Sequence, residues 1–376
     1  MTKPRRKHSR HSRHYLDLGS RYRIGSPPGA LEPHPEAAPT VIRRTVYDAN
    51  TVDEERFEGV IPRNKLAREP NRVLWLDVVG LGSADAVKHL VASFSLHALA
   101  IEDVLHQRQR PKAEVYGDTL FIVVRIPHLR EGGMTFEQVS MFLGRDFVLT
   151  FQEEEGDCFD SVRERLRRKQ GRVRQNGPDY LVYTLLDSAI DQYLPLADSM
   201  GDRLDEMERE VLSSSDSAVV QRLLDLRGDL NQLRRNVAPA RDAVAAMASL
   251  AGTLVSDETK IYLRDCQDHI VQLNEVTESY GDTVSALVSI HLSLASQRLN
   301  EVMKVLTVFA SLFMPLSFIA SLYGMNFDPD VSPFNMPELE WAYGYPAVLV
   351  VMLLLAGGLV FFFRRRGWLG GLGGSA

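Results

Sequence analysis

Cysteine is almost absent. Only Cys158 and Cys266 occur in 376 residues, and neither has a second Cys or a paired His at zinc-ligand spacing. This excludes a disulfide framework and a structural zinc site, and reads both as inert thiols in a reducing compartment. No GxxxxGK[ST] phosphate loop occurs, and the acids and histidines form no recognisable catalytic cluster, so an enzyme is not expected. Met1 to His14 carry six Lys/Arg and no acid but lack the apolar run of a secretory signal, and read as a disordered basic tail. Without those six charges the net charge of −6 becomes about −12, which argues against nucleic acid as a main partner and suits cations. Long hydrophobic runs are missing until the last 75 residues.

At this length two parts are expected. Residues 1–70 form a basic region whose 15–70 stretch, rich in Pro, Gly and Arg, predicts mostly irregular structure. Val73 to Val79, Thr119 to Ile126, Val139 to Leu143 and Phe147 to Phe151 are β-branched and aromatic runs, with turn signals at Gly132-Gly133 and Arg145-Asp146. With amphipathic patches at Ser83 to Ser95 and Asp160 to Lys169 they predict an α/β domain over 71–178. A helical hairpin over 179–255 follows, interrupted at Pro195, where a kink or an end is expected. Its Asp198, Asp202, Asp205, Glu206, Glu208 and Glu210 read as a solvated acidic face.

From Ser256 to Met314 there is no proline and one glycine, Gly281. An unbroken helix there would be roughly 90 Å long and would need partners for its apolar stripe. His269 and His291 on it read as packing or surface residues rather than ligands. Val305 to Tyr323 and Tyr345 to Phe363 are uncharged runs of 19 residues each. As helices each spans about 28 Å, close to the thickness of a bilayer core. The first is continuous with the stalk as 256–323, an outer loop follows over 324–342, then a second span over 343–364 and a tail over 365–376. Lys304 precedes the first span, Arg364, Arg365 and Arg366 follow the second, and no basic residue lies between. Both termini are therefore expected in the cytoplasm of a multi-pass protein of the cell's inner membrane, with Trp341, Tyr343 and Tyr345 at the outer interface.

Steps of three and four from Asn300 pick out Met303, Thr307, Ala310, Met314, Ser317, Ser321 and Gly324. This small, polar or flexible face lies opposite Val308, Leu312, Leu316 and Ile319. A tight helix contact in lipid is one reading. The other is a pore: in an oligomer the Asn, Thr and Ser side chains would stack into rings of neutral oxygens, which suit a divalent ion that sheds its water reluctantly. The outer loop holds Asp328, Asp330, Glu338 and Glu340 and no base, so repetition around an axis would concentrate cations, although the acids could simply be solvated.

Tyr323-Gly324-Met325-Asn326 directly after Phe313-Met314-Pro315-Leu316 and the first span, followed by Met336-Pro337-Glu338-Leu339 and a second span, resembles the CorA magnesium transporters. The resemblance continues at Asn300 to Thr307, Tyr262-Leu263-Arg264-Asp265, Ile101 to Leu105 and Gln109 to Lys112, and covers about 71 to 369. It implies a homopentameric funnel: an α/β cytoplasmic domain, long stalk helices and two C-terminal transmembrane helices, passing Mg2+ passively, with Co2+ or Ni2+ as passengers. It implies ion selection at Gly324, Met325 and Asn326, with Asn326 binding the hydrated ion. Asn300, Met303, Leu306, Met314 and Ser317 match pore or gate positions, beside Thr307, Ala310 and Ser321 of the seam. It further implies a regulatory Mg2+ between subunits at Asp103 and Asp265, with Glu102 and Asp187 nearby; taken alone each of these acids is an ordinary surface charge. Asp328 to Asn335 is an insertion relative to the family's compact loop. A zinc transporter of the same architecture is the nearest alternative, disfavoured by Met325, and a membrane receptor with a coiled-coil stalk is the alternative from another class.

Overall fold

The computed structural model describes residues 37–106, 109–130, 133–156, 158–213, 216–249, 254–325, 327–328, 331–332, 334–337 and 341–368. Two apolar runs dictate the centre of the sheet. Val73–Val79 (β3) and Phe147–Gln152 (β7) are buried at every position and pair in parallel, as strands covered on both faces do. Around them a seven-stranded mixed sheet forms in the order β2-β1-β3-β7-β6-β5-β4, with every other pairing antiparallel. The remaining strands are Val41–Tyr47 (β1), Val52–Glu58 (β2), Lys112–Tyr116 (β4), Thr119–Arg130 (β5) and Gly133–Leu143 (β6).

Residues 15–70 are therefore not all irregular, since β1 and β2 lie in them, and β4 also goes beyond the runs named above. The physical reason is position. β2 (VDEERFE) and β4 (KAEVY) are the two sheet edges, where charge is tolerated and discourages pairing with another chain. β1 carries Arg43 and Arg44 within an apolar run. Arg44 is 6% exposed yet satisfied, its Nε donating to Lys65 O at 2.8 Å and its Nη1 lying 3.2 Å from Asp53 Oδ2. The Gly132 turn position lies outside the described residues. At the other turn Gly144 is required by space, because a Cβ there would meet the Phe147 ring at 2.2 Å.

Side chains alternate across β3. Leu74, Leu76 and Val78 join Phe121, Phe142, Leu149 and Phe151 in one apolar core with Ala84–Phe94 (α1) and Ala98–Leu105 (α2). Ser83 caps α1, accepting from Ala86 N at 3.2 Å, and Ser95 closes it in the left-handed region. Trp75 and Asp77 point to the opposite face, toward Asp160–Arg167 (α3). Asp77 is 1% exposed. Its Oδ1 accepts from Thr150 Oγ1 at 2.6 Å and Gln152 Nε2 at 2.8 Å, and its Oδ2 pairs with Arg163 Nη2 at 2.5 Å. Arg163 also lies over the Trp75 ring, whose Nε1 donates to Thr150.

Pro178–Asp191 (α4) is followed after one residue by Tyr193–Ser213 (α5). The break falls at Gln192, so Pro195 sits in the first turn of a new helix, where its missing N–H costs nothing. Ser217–Ser249 (α6) and Asp257–Tyr323 (α7, 67 residues) complete the stalk elements. Buried positions recur at steps of three and four along α6 (Leu223, Leu226, Leu230, Leu233, Val237) and α7 (Leu263, Cys266, Ile270, Leu273, Thr277), a coiled-coil repeat. Ion pairs tie the bundle: Arg203 to Asp229 at 2.8 Å between α5 and α6, Arg234 to Glu278 at 3.1 Å between α6 and α7. A Cβ at Gly201 would approach the Tyr280 hydroxyl at 2.7 Å, so glycine lets α5 and α7 close together. The acidic face of α5 is solvated: Asp198, Asp202, Asp205, Glu206 and Glu208 are exposed.

The chain divides into two compact units, Met1–Arg209 with Gln221–Ser285, and Glu210–Val220 with Ala286–Ala376. The second contains the rest of α7 and Gly344–Arg365 (α8).

Removing Arg163 leaves the buried Asp77 carboxylate only the more distant guanidinium of Arg43, 3.9 Å away. Arg163→Met should cost about 3–5 kcal/mol, read as a large drop in melting temperature of the full chain in detergent. Adding Asp77→Asn, which removes the charge but keeps the acceptor for Thr150 and Gln152, should recover more than half of the loss.

Candidate ion pathway and cytoplasmic carboxylates

Two helices are long and apolar enough to cross a membrane, Asp257–Tyr323 through its apolar end and Gly344–Arg365. Their surfaces fit lipid: Phe309, Phe313, Phe318, Leu353, Leu354 and Phe361 are all more than half exposed. Toward its C-terminal end α7 has two opposed faces. Val305, Val308, Leu312, Leu316 and Ile319 are half-buried, whereas Asn300, Met303, Leu306, Thr307, Ala310, Met314, Ser317 and Ser321 are all exposed. At 100° per residue the second set centres almost opposite the first. The seam therefore has no cover from the described residues of its own chain. Thr307 Oγ1 donates to Met303 O at 2.7 Å, which leaves the hydroxyl oxygen's lone pairs free to face outward.

α7 ends at Tyr323, and Met325 N donates to Leu322 O at 3.3 Å as the helix closes. Gly324 and Met325 are exposed, and Met325 joins Leu322, Tyr323, Phe327, Phe334, Asn335, Met336 and Pro337 around an open cleft of about 350 Å³. Asp328 is exposed, and its carbonyl accepts from Asn335 Nδ2 at 2.7 Å, a bond between the two ends of the segment from Asp328 to Asn335. Asn326, Asp330, Glu338 and Glu340 lie outside the described residues. Trp341, Tyr343 and Tyr345 are exposed just before or at the start of α8, as interfacial rings are.

The acids of the α/β unit and the stalk separate into two places. Asp103 on α2 is bound by Lys112, whose Nζ lies 2.8 Å from it and 2.8 Å from Glu114. Burial opposes the Lys112 charge, but these two bonds outweigh it and hold the ammonium above its ordinary pKa. Glu102 lies 3.7 Å from His106 Nδ1. Asp265 on α7 instead belongs with Asp187 on α4: burial raises the Asp187 pKa above the ordinary carboxylate value, and the carboxylates of Asp191 and Asp265 add to the shift. Among the described residues, one group of three metal-binding side chains has converging ligand atoms, Asp187, Asp191 and His269. Neither Asp103 nor Asp265 is a member. The sequence reading missed Asp191 and took His269 for a packing or surface residue; the available signal was that Asp187/Asp191 and Asp265/His269 are both spaced i, i+4, one turn apart on a helix face. His291, by contrast, is buried at 7% exposure.

A mixed α/β unit, a long helical stalk and two lipid-compatible helices define a membrane protein of the divalent-cation transporter architecture. The chain belongs to the CorA-like Mg2+ transporter family, which matches residues 70–365. It is 38% identical over 316 residues to the cobalt/magnesium transport protein CorA of Thermotoga maritima, covering 83% of this chain and 87% of that one. It is 36% identical over 308 residues to the putative metal ion transporter YfjQ of Bacillus subtilis, covering 82% and 93%. The complete structure of the CorA magnesium transporter from Methanocaldococcus jannaschii has the same fold, with a TM-score of 0.73, 20% identity, and coverage of 88% of this chain and 99% of that one.

A raised carboxyl pKa means that the folded state holds the Asp187 proton more tightly than the unfolded chain does. Stability from this group is thus present at low pH and lost as pH rises from the ordinary carboxylate value through the raised one. Asp187→Asn should therefore melt higher than the parent at pH 7 in divalent-free buffer, with the difference vanishing in acid. Thermal melts with chelator at the two pH values check this.

Proposed function

We propose that the protein is a homo-oligomeric channel, pentameric as in the resemblance, that lets Mg2+ enter the cell passively across the inner membrane, with Co2+ as a second cargo. The observation that carries the reading is the uncovered polar seam of α7. A membrane helix that exposes Thr307, Ser317 and Ser321 on one side, in line with Asn300 just before the span and opposite an apolar half-buried face, has a side that lipid does not suit. Copies of this helix around an axis would turn that side inward and give a column of neutral oxygens. Neutral oxygens can hold a hydrated Mg2+ by its water shell without trapping it. Asn300, Met303, Leu306, Thr307, Ala310, Met314, Ser317 and Ser321 line this path, and Gly324, Met325 and Asn326 form its outer mouth.

Orientation follows from charge. Lys304 and Arg364 to Arg366 flank the spans on one side, which puts both termini in the cytoplasm. The loop acids Asp328, Asp330, Glu338 and Glu340 then sit outside and raise the local cation concentration. A potential of ~100 mV contributes roughly 4.6 kcal/mol to inward movement of a doubly charged ion, so no nucleotide-driven step is needed. Control comes from inside. Asp103 and Asp265, with Glu102 and Asp187, hold a regulatory Mg2+ between neighbouring subunits, and two facing carboxylates that repel until an ion bridges them make the interface sensitive to occupancy. The Lys112–Asp103 pair fits this role, because a bridging ion must compete with the ammonium for the carboxylate.

Two measurements test the reading. Asn326→Ala should abolish Mg2+ flux into liposomes at fixed potential, to less than about a tenth of the parent; undiminished flux rules the mouth assignment out. Asp265→Ala should leave flux intact at low internal Mg2+ and shift the concentration needed for block upward about tenfold. An unchanged block would remove Asp265 from the regulatory site.

A further inference from the structure

We infer that Asp187 and Asp191 of α4 and His269 of α7 form a binding site within one subunit for a transition divalent cation such as Co2+ or Zn2+. One ligand atom from each lies within 4.8 Å of the other two. All three side chains belong to the same compact unit, so the site needs no second chain. It shares only Asp187 with the carboxylates assigned above to Mg2+, and it does not rest on the transport reading.

Spacing is the first argument. None of the three side chains forms a hydrogen bond or ion pair with another described residue. A direct imidazole–carboxylate hydrogen bond would bring nitrogen and oxygen to about 2.7–3.2 Å. These groups converge but stop short of touching. An ion about 2.0–2.2 Å from each ligand atom separates the ligand atoms by roughly 3–4 Å, a little less than the 4.8 Å within which they lie, and Asp191 and His269 are exposed and so have room to turn toward it.

Charge is the second argument. Asp187 and Asp191 are one helical turn apart, a like-charge pair that destabilises its helix when nothing bridges it. Asp265 precedes His269 by one turn and adds a third negative charge nearby, which the Arg165 guanidinium offsets in part without lowering the Asp187 pKa to its ordinary value. A divalent cation would offset this repulsion, and the two carboxylates match its charge.

Ligand type then selects the ion. Imidazole nitrogen favours first-row transition metals, while Mg2+ prefers oxygen ligands and water. Two carboxylates and one imidazole on one side of an ion, with the remaining positions open to water, form a mixed oxygen and nitrogen set in which the imidazole supplies the preference for such metals. The site therefore distinguishes Co2+ or Zn2+ from Mg2+, which the all-carboxylate Mg2+ site does not do by ligand chemistry.

The test is equilibrium dialysis of the full-length protein in detergent against Co2+ in millimolar Mg2+, which fills oxygen-only sites. Cobalt per chain and its visible absorption are both read. His269→Ala should lose one cobalt per chain, with at least a tenfold fall in affinity and loss of the nitrogen-ligated absorption band. Reading the difference between parent and variant cancels any cobalt held by His8, His11 and His14, which both chains keep. Asp191→Asn, also at an exposed position, should give the same loss, and thermal melting in chelator should show both variants folded. An unchanged cobalt count and spectrum in folded His269→Ala overturns the proposal, as does stripping of the cobalt by Mg2+. Cobalt binding in detergent does not depend on flux, so a failed Asn326→Ala experiment would leave this result standing.

Discussion

A buried carboxylate organises the α/β unit. Asp77 sits in the middle of the most buried strand at 1% exposure, where an unpaired charge would cost several kcal/mol. It persists because Arg163, Thr150 and Gln152 satisfy both of its oxygens. These partners come from α3 and β7, so the bond set locks a helix and the parallel neighbour strand onto β3 at once. An apolar pair could match its stability, but it would not single out the one register in which Thr150 and Gln152 both point at β3. With that register set, the Leu74, Leu76, Val78 side is committed to the α1–α2 core, and α2 is held where it carries Glu102 and Asp103.

How much of this could be read in the sequence depends on what each element is packed against. β3, β5, β6 and β7 are legible because their runs are apolar, whereas β2 and β4 are edges and take their charged composition from that position. α7 is legible as far as Met314 because a segment without proline and with one glycine has nothing to stop it, and the helix then continues through Pro315 to Tyr323. The site divides in the same way. The α7 seam needs only a periodicity, and the structure leaves those residues exposed. The carboxylates need tertiary information: that Lys112 reaches Asp103, or that α4 brings Asp191 to His269, is written in no local pattern.

The long helix has two kinds of surface along one unbroken backbone. In its first half the apolar stripe at Leu263, Cys266, Ile270 and Leu273 is buried within its own chain. Beyond Leu292 most side chains are exposed. The expectation that such a rod needs partners is thus met within the chain for one half and left unmet among the described residues for the other. Apolar exposure can be satisfied by lipid, but the exposed hydroxyl oxygens of Thr307, Ser317 and Ser321 keep lone pairs for which lipid offers no donor. That asymmetry is the physical reason for inferring neighbours of the same kind.

The separation of neutral and charged ligands along the chain follows from what each must do to an ion. In the channel we propose, the path has to release the ion quickly, so oxygens of hydroxyls and amides suit it and negative charge belongs in the loop. A site that reports concentration has to stay occupied long enough to bias a structure, and there carboxylates belong. Adding an imidazole changes the question asked, from how much divalent cation is present to which one. Asp187 stands at the junction of the two carboxylate sets, half-buried and already disfavoured as an anion. An ion on either side relieves that cost once only, so occupancy by a transition metal at His269 would weaken the hold on Mg2+ beside Asp265, and the reverse, by the reciprocity that coupling requires.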